Sequence, residues 1–191
     1  MFTHKGGEVL IMTAEEIEHS LAELAENIIK NEGENNLCVI GIKRRGDILA
    51  KRLADYMKKA GKKIEIGSID ITLYRDDLTT IDKKPVVHGT EIPFNIDDKV
   101  VILVDDVIYT GRTIRAALTE LADLGRPKRI RLCCLIDRGH RELPICPDYV
   151  GKFVKTTQDE IVEVCVKELD GKDEVRIVKR KCKENSGEKT S

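Results

Sequence analysis

Two adjacent carboxylates closing an apolar run, with two threonines and an arginine just beyond them, are the strongest chemical signal in this chain. The stretch reads Val101-Ile102-Leu103-Val104-Asp105-Asp106-Val107-Ile108-Tyr109-Thr110-Gly111-Arg112-Thr113. Apolar, mostly β-branched residues precede the acids, and an amphipathic segment follows the turn. A buried parallel strand reads this way, and ligands of open α/β sheets lie where such strands end. Thr110, Gly111, Arg112 and Thr113 offer backbone N–H groups, two hydroxyls and a guanidinium at a helix N-terminus. That is a phosphate cradle, because orphan amides and the helix dipole both favour an anion. Asp105 and Asp106 would repel the same phosphate. They suit sugar hydroxyls, or the waters around a Mg²⁺ ion. An ordinary strand-turn-helix with an acidic turn is the bland alternative, and a buried strand rarely ends in paired acids without a polar partner.

A second cationic turn, Lys43, Arg44 and Arg45 between Gly41 and Gly46, follows another apolar strand. Alone it is equally a solvated basic turn. Beside the first motif it suits a second phosphate of the same ligand, with arginine able to grip it bidentately. Tyr74-Arg75-Asp76-Asp77 opens a long polar stretch reaching residue 98. A loop of that length is either a mobile surface segment or a functional cover that excludes water from a reactive site. A third segment, Ile136-Asp137-Arg138-Gly139-His140-Arg141-Glu142-Leu143-Pro144, again follows an apolar run. Its place at a strand's carboxyl end suits recognition of a base.

The elements that must hold these residues are legible from spacing. Residues 1–12 read as a loose lead-in. Thr13-Ala14-Glu15-Glu16 is a capping box, and Ile17, Leu21, Leu24, Ala25, Ile28 and Ile29 recur at helical spacing until residues 31–33. Strands are expected at 37–42, 64–73, 99–104 and 130–136, with a shift of phase around Gly67 that reads as a bulge. Helices are expected at 48–60 and about 111–124. Val162, Val164 and Val166, then Asp170-Gly171-Lys172-Asp173, then Val175 and Ile177, read as a hairpin. Residues 181–191 read as a disordered polar tail. Strand–helix alternation implies an α/β fold, a mainly parallel twisted sheet flanked by helices with a small β-hairpin hood, in one domain spanning 1–180.

Composition excludes several classes. The chain has 191 residues, is 41% hydrophobic and 35% charged, yet its formal net charge is only -1, so no global field attracts nucleic acid or a membrane. No apolar run has the length of a membrane span and no signal peptide opens the chain, which points to the cytoplasm. The six cysteines form no CxxC pair, and Cys38, Cys133, Cys134 and Cys165 read as small core residues.

The 101–113 motif resembles the phosphoribosyl pyrophosphate (PRPP) site of type I phosphoribosyltransferases; neither GxxxxGK[ST] nor GxGxxG is present. Together with residues 73–78 and Asp-Arg-Gly-His-Arg-Glu-Leu-Pro at 137–144, it resembles the PyrR family, bifunctional attenuation proteins with uracil phosphoribosyltransferase activity. The likeness runs from about residue 11 to 177. It implies conversion of uracil and PRPP, with Mg²⁺, into UMP and pyrophosphate. It implies Thr110–Thr113, led by Val107, Ile108 and Tyr109, on the 5′-phosphate, and Asp105 and Asp106 on the ribose. It implies Lys43, Arg44, Arg45 and Gly46 by the pyrophosphate, Arg75 of the covering loop as a catalytic residue beside Asp105 and Asp106, and Asp137, Arg138 and Val162 by the base. Many purine-using relatives carry an acid where Tyr109 stands, which argues for a pyrimidine. The family's second activity is UMP-dependent binding of the pyr mRNA leader, for which Arg141 and Lys152 are candidate contacts. Here the chain departs from the pattern: Glu15, Glu16, Glu18, Glu23 and Glu26 stand on a first helix that is usually basic, and Cys146 stands where arginine is usual. The alternatives are an enzyme or a UMP-binding protein that has lost RNA binding, or a purine phosphoribosyltransferase. A homodimer or larger homo-oligomer is implied, and no metal ligand is directly assigned.

Overall fold

Five parallel strands form the centre of the molecule, in the order β4-β3-β5-β6-β7. They are β3 (Leu37–Ile42), β4 (Glu65–Ile69), β5 (Val100–Ile108), β6 (Arg129–Asp137) and β7 (Tyr149–Phe153). The computed structural model describes residues 4–5, 8–33, 36–71 and 89–179. Arg75 with the expected loop residues 75–88, Cys182 and the expected tail therefore lie outside the described residues.

Side-chain alternation sends the central strands' apolar residues to two cores. Val39, Ile102, Val104 and Leu135 face one core, built with α1 (Ala14–Glu32) and α2 (Arg45–Lys59). Ile40, Val101, Leu103 and Cys134 face the other, built with α3 (Arg112–Leu124). The capping box on α1 forms as expected: Thr13 N–H donates to Glu16 Oε2 at 2.8 Å and Glu16 N–H to Thr13 Oγ1 at 3.3 Å. A second, antiparallel sheet has the order β1-β2-β9-β8, from β1 (His4–Lys5), β2 (Glu8–Met12), β8 (Glu160–Cys165) and β9 (Glu174–Lys179). The one-turn helix α4 (Lys167–Asp170) joins β8 to β9, so the expected hairpin is present with a helical tip. Among the described residues no helix is long and apolar enough to cross a membrane.

The structure departs from the sequence pattern at several elements. The lead-in is partly strand, because β2 completes the hairpin's free edge through Glu8↔Val178 and Val9↔Ile177. β7 follows no strong pattern in sequence, since its Gly151 and Lys152 dilute it, and its existence depends on pairing with β6. No bulge forms at Gly67: the register with β3 is continuous from Cys38↔Glu65 to Ile42↔Ile69. The phase shift has another cause, because Ser68 exchanges two 2.8 Å backbone hydrogen bonds with Glu91, which covers that stretch. Residues 92–96 are accordingly packed, with Ile96 buried and Ile92 and Phe94 against the second core.

Two corrections bear on the site. β5 does not stop before its acids but continues to Ile108, paired through Asp105↔Cys134 and Ile108↔Asp137. Helix α2 begins at Arg45 rather than residue 48, because its first turn lies directly on β5. A Cβ at Gly46 would stand 2.6 Å from the Val104 carbonyl and 3.1 Å from Asp105 Cα. Only glycine lets these backbones approach so closely. Gly46→Ala is expected to lower the urea midpoint by the equivalent of about 1–3 kcal/mol with an unchanged m-value. An unaltered midpoint would contradict the close approach.

Candidate active site

The carboxyl ends of β3 and β5 open into a cleft of about 560 Å³. Its walls bring together Lys43, Arg44 and Arg45, the twin acids, the whole 107–113 turn, Arg138 and Val162. Three segments singled out by chemistry, far apart in sequence, thus meet in one place.

The acids form the floor. Asp105 is buried, and its Oδ1 accepts the Asp106 N–H at 3.0 Å. Asp106 Oδ1 accepts the Val107 N–H at 2.9 Å, which holds its carboxyl at the end of the strand. Burial pushes the Asp106 pKa up; its contact with Asp105, the Val107 N–H and the Arg45 charge restrain the rise. A carboxylate held in such surroundings gains from hydroxyl donors or a hydrated cation.

Beyond the acids, Gly111 adopts φ +94° at the N-cap of α3, a left-handed conformation that favours glycine. Leu143 and Ile145 would lie 3.5 Å from a Cβ there, so the 139–145 segment braces the turn. The Thr110 carbonyl accepts N–H groups of Glu142 and Leu143, and the Arg112 guanidinium pairs with Glu142 Oε2 at 2.8 Å. On the opposite side, Lys43 Nζ donates to the Gly89 carbonyl at 2.8 Å. Arg44 is exposed, and the peptide between it and Lys43 is cis. Arg45 Nε and Nη2 donate to the two oxygens of Asp170 in α4, at 3.3 and 3.0 Å. The Arg45 pKa is raised by this hydrogen bond, which in turn holds Asp170 below the usual carboxylate range.

The remaining wall is formed by β6 and the hood. Arg138 is 7% exposed, and its guanidinium carbon lies 4.1 Å from the centroid of the Tyr109 ring. It donates to Thr156 Oγ1 and to the carbonyls of Thr157 and Glu160, so a flat cation is fixed against the ring. Val162 of β8 supplies an apolar surface beside it.

Not every candidate stands at the cleft. Asp137 turns into the following loop, where its oxygens accept from Arg141 Nη2 at 2.6 Å and Gly139 N–H at 2.9 Å. Arg141 also donates to the carbonyls of Tyr109, Gly139 and Ile145, which knits that loop together. Lys152 Nζ donates to the Ile11 carbonyl at 2.8 Å. Asp170 was not legible as a site residue, since it meets Arg45 only through the tertiary fold. The hood has a second tie to α2: Arg52, one face-repeat beyond Arg45, pairs with Glu18, Glu168 and Asp173.

The model of the phosphoribosyl transferase domain matches residues 11–169. A bifunctional protein PyrR of Pelotomaculum thermopropionicum is 55% identical over 170 residues, covering 88% of this chain and 94% of that protein. Its counterpart in Thermus thermophilus is 51% identical over 172 residues, covering 89% and 95%. Among solved structures, the hypoxanthine phosphoribosyltransferase of Trypanosoma cruzi superposes with a TM-score of 0.68 at 17% identity, covering 90% of this chain and 96% of that one. A hypoxanthine-guanine phosphoribosyltransferase from Bacillus anthracis gives a TM-score of 0.62 at 25% identity, covering 76% and 83%. The fold is that of the type I phosphoribosyltransferases.

The acids carry a consequence for stability. A carboxyl whose folded pKa lies above its unfolded one stabilises the fold while protonated and loses that contribution as pH rises through the folded value. Asp106 is such a group, so Asp106→Asn is expected to raise Tm at neutral pH and to flatten its decline above pH ~4. Calorimetry across the acid-to-neutral range tests this, and a Tm that falls at pH 7 would contradict it.

Proposed function

The chain belongs to the phosphoribosyl transferase domain family and, within it, to the bifunctional PyrR proteins, and from that premise we propose how its cleft works. The reaction is transfer of the phosphoribosyl group of PRPP to uracil, giving UMP and pyrophosphate. The observation that carries this reading is the single cleft shared by two cationic or amide-rich turns with paired carboxylates between them. Thr110, Gly111, Arg112 and Thr113 hold the 5′-phosphate at the start of α3, where backbone N–H groups favour an anion. Asp105 and Asp106 accept the ribose hydroxyls. Arg45, with Lys43 and Arg44, faces the pyrophosphate, and Arg138 with Val162 faces the base. Asp137 serves the base indirectly, by fixing the loop that carries Arg138. Arg75 belongs to the covering loop in this proposal.

As the bond to pyrophosphate breaks, positive charge builds on the anomeric carbon and negative charge on the leaving group. The acids beneath the sugar favour the first, and Arg45 favours the second. Adjacent carboxylates, one with its pKa raised by burial, fit a hydrated Mg²⁺ accompanying PRPP. Such an ion supplies charge neutralisation on the departing pyrophosphate. Tyr109 offers no carboxylate to a purine ring, which favours a pyrimidine, and positioning with electrostatics carries the catalysis.

The second activity is UMP-dependent binding of a pyr mRNA leader, in a cytoplasmic homo-oligomer. Arg141 and Lys152 remain its candidate contacts, Arg141 through the loop it braces and Lys152 from strand β7, where it holds β2. The outward glutamates of α1 oppose RNA phosphates, so this binding is weaker, and its salt dependence shallower, than on a basic helix.

With labelled uracil and PRPP, UMP formation is expected, and Asp105→Asn or Asp106→Asn should lower kcat/KM by about 10²–10³-fold. Undiminished turnover would remove the acids from the mechanism. In gel shifts, UMP should tighten binding of a pyr leader hairpin, and Arg141→Ala with Lys152→Ala should abolish the shift. A shift that persists in the double variant would move the RNA face elsewhere.

A further inference from the structure

The hood is tied to α2 by two arginines on one helix face, and one of them also lines the cleft. Arg52 is held by carboxylates of α1 and the hood, outside the cleft. Arg45 is different. Asp170 takes the Nε–Nη2 edge of its guanidinium, while the side chain lines the cleft near Asp106. Asp170 is itself anchored, since its Oδ2 accepts the Val166 N–H at 2.9 Å at the start of α4. A guanidinium gripped along one edge by a fixed carboxylate is confined to a plane, with its Nη1 corner left to meet an anion. Among the described residues, no hydrogen bond engages that corner. Lysine could not be oriented in this way.

We propose that Asp170 is a positioning residue for the pyrophosphate end of the ligand: by clamping Arg45 from the hood, it pre-orders the group that receives the leaving pyrophosphate. The inference rests on the assignment of Arg45 to pyrophosphate. It gives the hood two duties, an apolar wall for the base at Val162 and an anionic clip for Arg45 at Asp170. Pre-ordering removes the rotamer entropy that an unclamped arginine would lose on binding.

The test is a set of variants measured for KM of PRPP, KM of uracil, and pyrophosphate affinity by calorimetry. Asp170→Ala should raise KM for PRPP and weaken pyrophosphate about tenfold, or ~1.4 kcal/mol, with KM for uracil unchanged. Asp170→Glu should restore part of the loss. Glu168→Ala, which loosens the same helix through Arg52, should leave KM for PRPP unchanged, whereas a merely structural role would make it resemble Asp170→Ala. On an Arg45→Ala background, Asp170→Ala should cost nothing further. If Arg45→Ala weakens pyrophosphate but Asp170→Ala does not, or tightens it, Asp170 is no clamp and the inference is overturned. If Arg45→Ala itself has no effect, the assignment of Arg45 fails first.

Discussion

The absence of a side chain between the first turn of α2 and the end of β5 is the constraint on which the site depends. At Gly46 the two backbones meet so closely that a methyl group would press on the Val104 carbonyl. That contact brings a cationic turn beside two buried-edge carboxylates, an arrangement that extended loops would not hold against their own entropy. The helix start and the strand end are rigid, so the opposite charges are ordered before a ligand arrives.

Electrostatics divide the cleft into parts with different preferences. The floor is acidic and strained in the sense that burial disfavours the charged form of Asp106. The far wall is the amide-rich start of α3, and the near wall carries Arg45 under the influence of Asp170. A ligand with anionic ends and a hydroxyl-bearing middle complements all three. In the proposed function, the charges that disfavour the empty fold are those the bound state uses, the common trade between stability and activity.

Much of this was legible in sequence, for local reasons. The capping box on α1, the run from strand through paired acids to αL Gly111, and the hairpin around residue 171 each announce themselves within a few residues. What stayed hidden depends on distant partners. β7 is an edge strand whose pairing comes from β6, and β2 is held by β9 on one side and the short β1 on the other. The early start of α2 was masked because Arg45 and Gly46 read as loop until β5 lies against them. Asp137 stands next to Arg138 in sequence, yet Arg138 lines the cleft while Arg141 and the Gly139 N–H of the following loop claim the acid. The pairing of Arg45 with Asp170 spans 125 residues, beyond the reach of any local pattern.

The most direct test of one shared cleft is competition between substrate and product. In calorimetric titrations with Mg²⁺ present, UMP should displace PRPP one for one, with apparent affinity falling as the competitor rises. Simultaneous binding of both ligands to one chain, or displacement that never occurs at saturation, would contradict a single site gripping the sugar phosphate over Asp105 and Asp106.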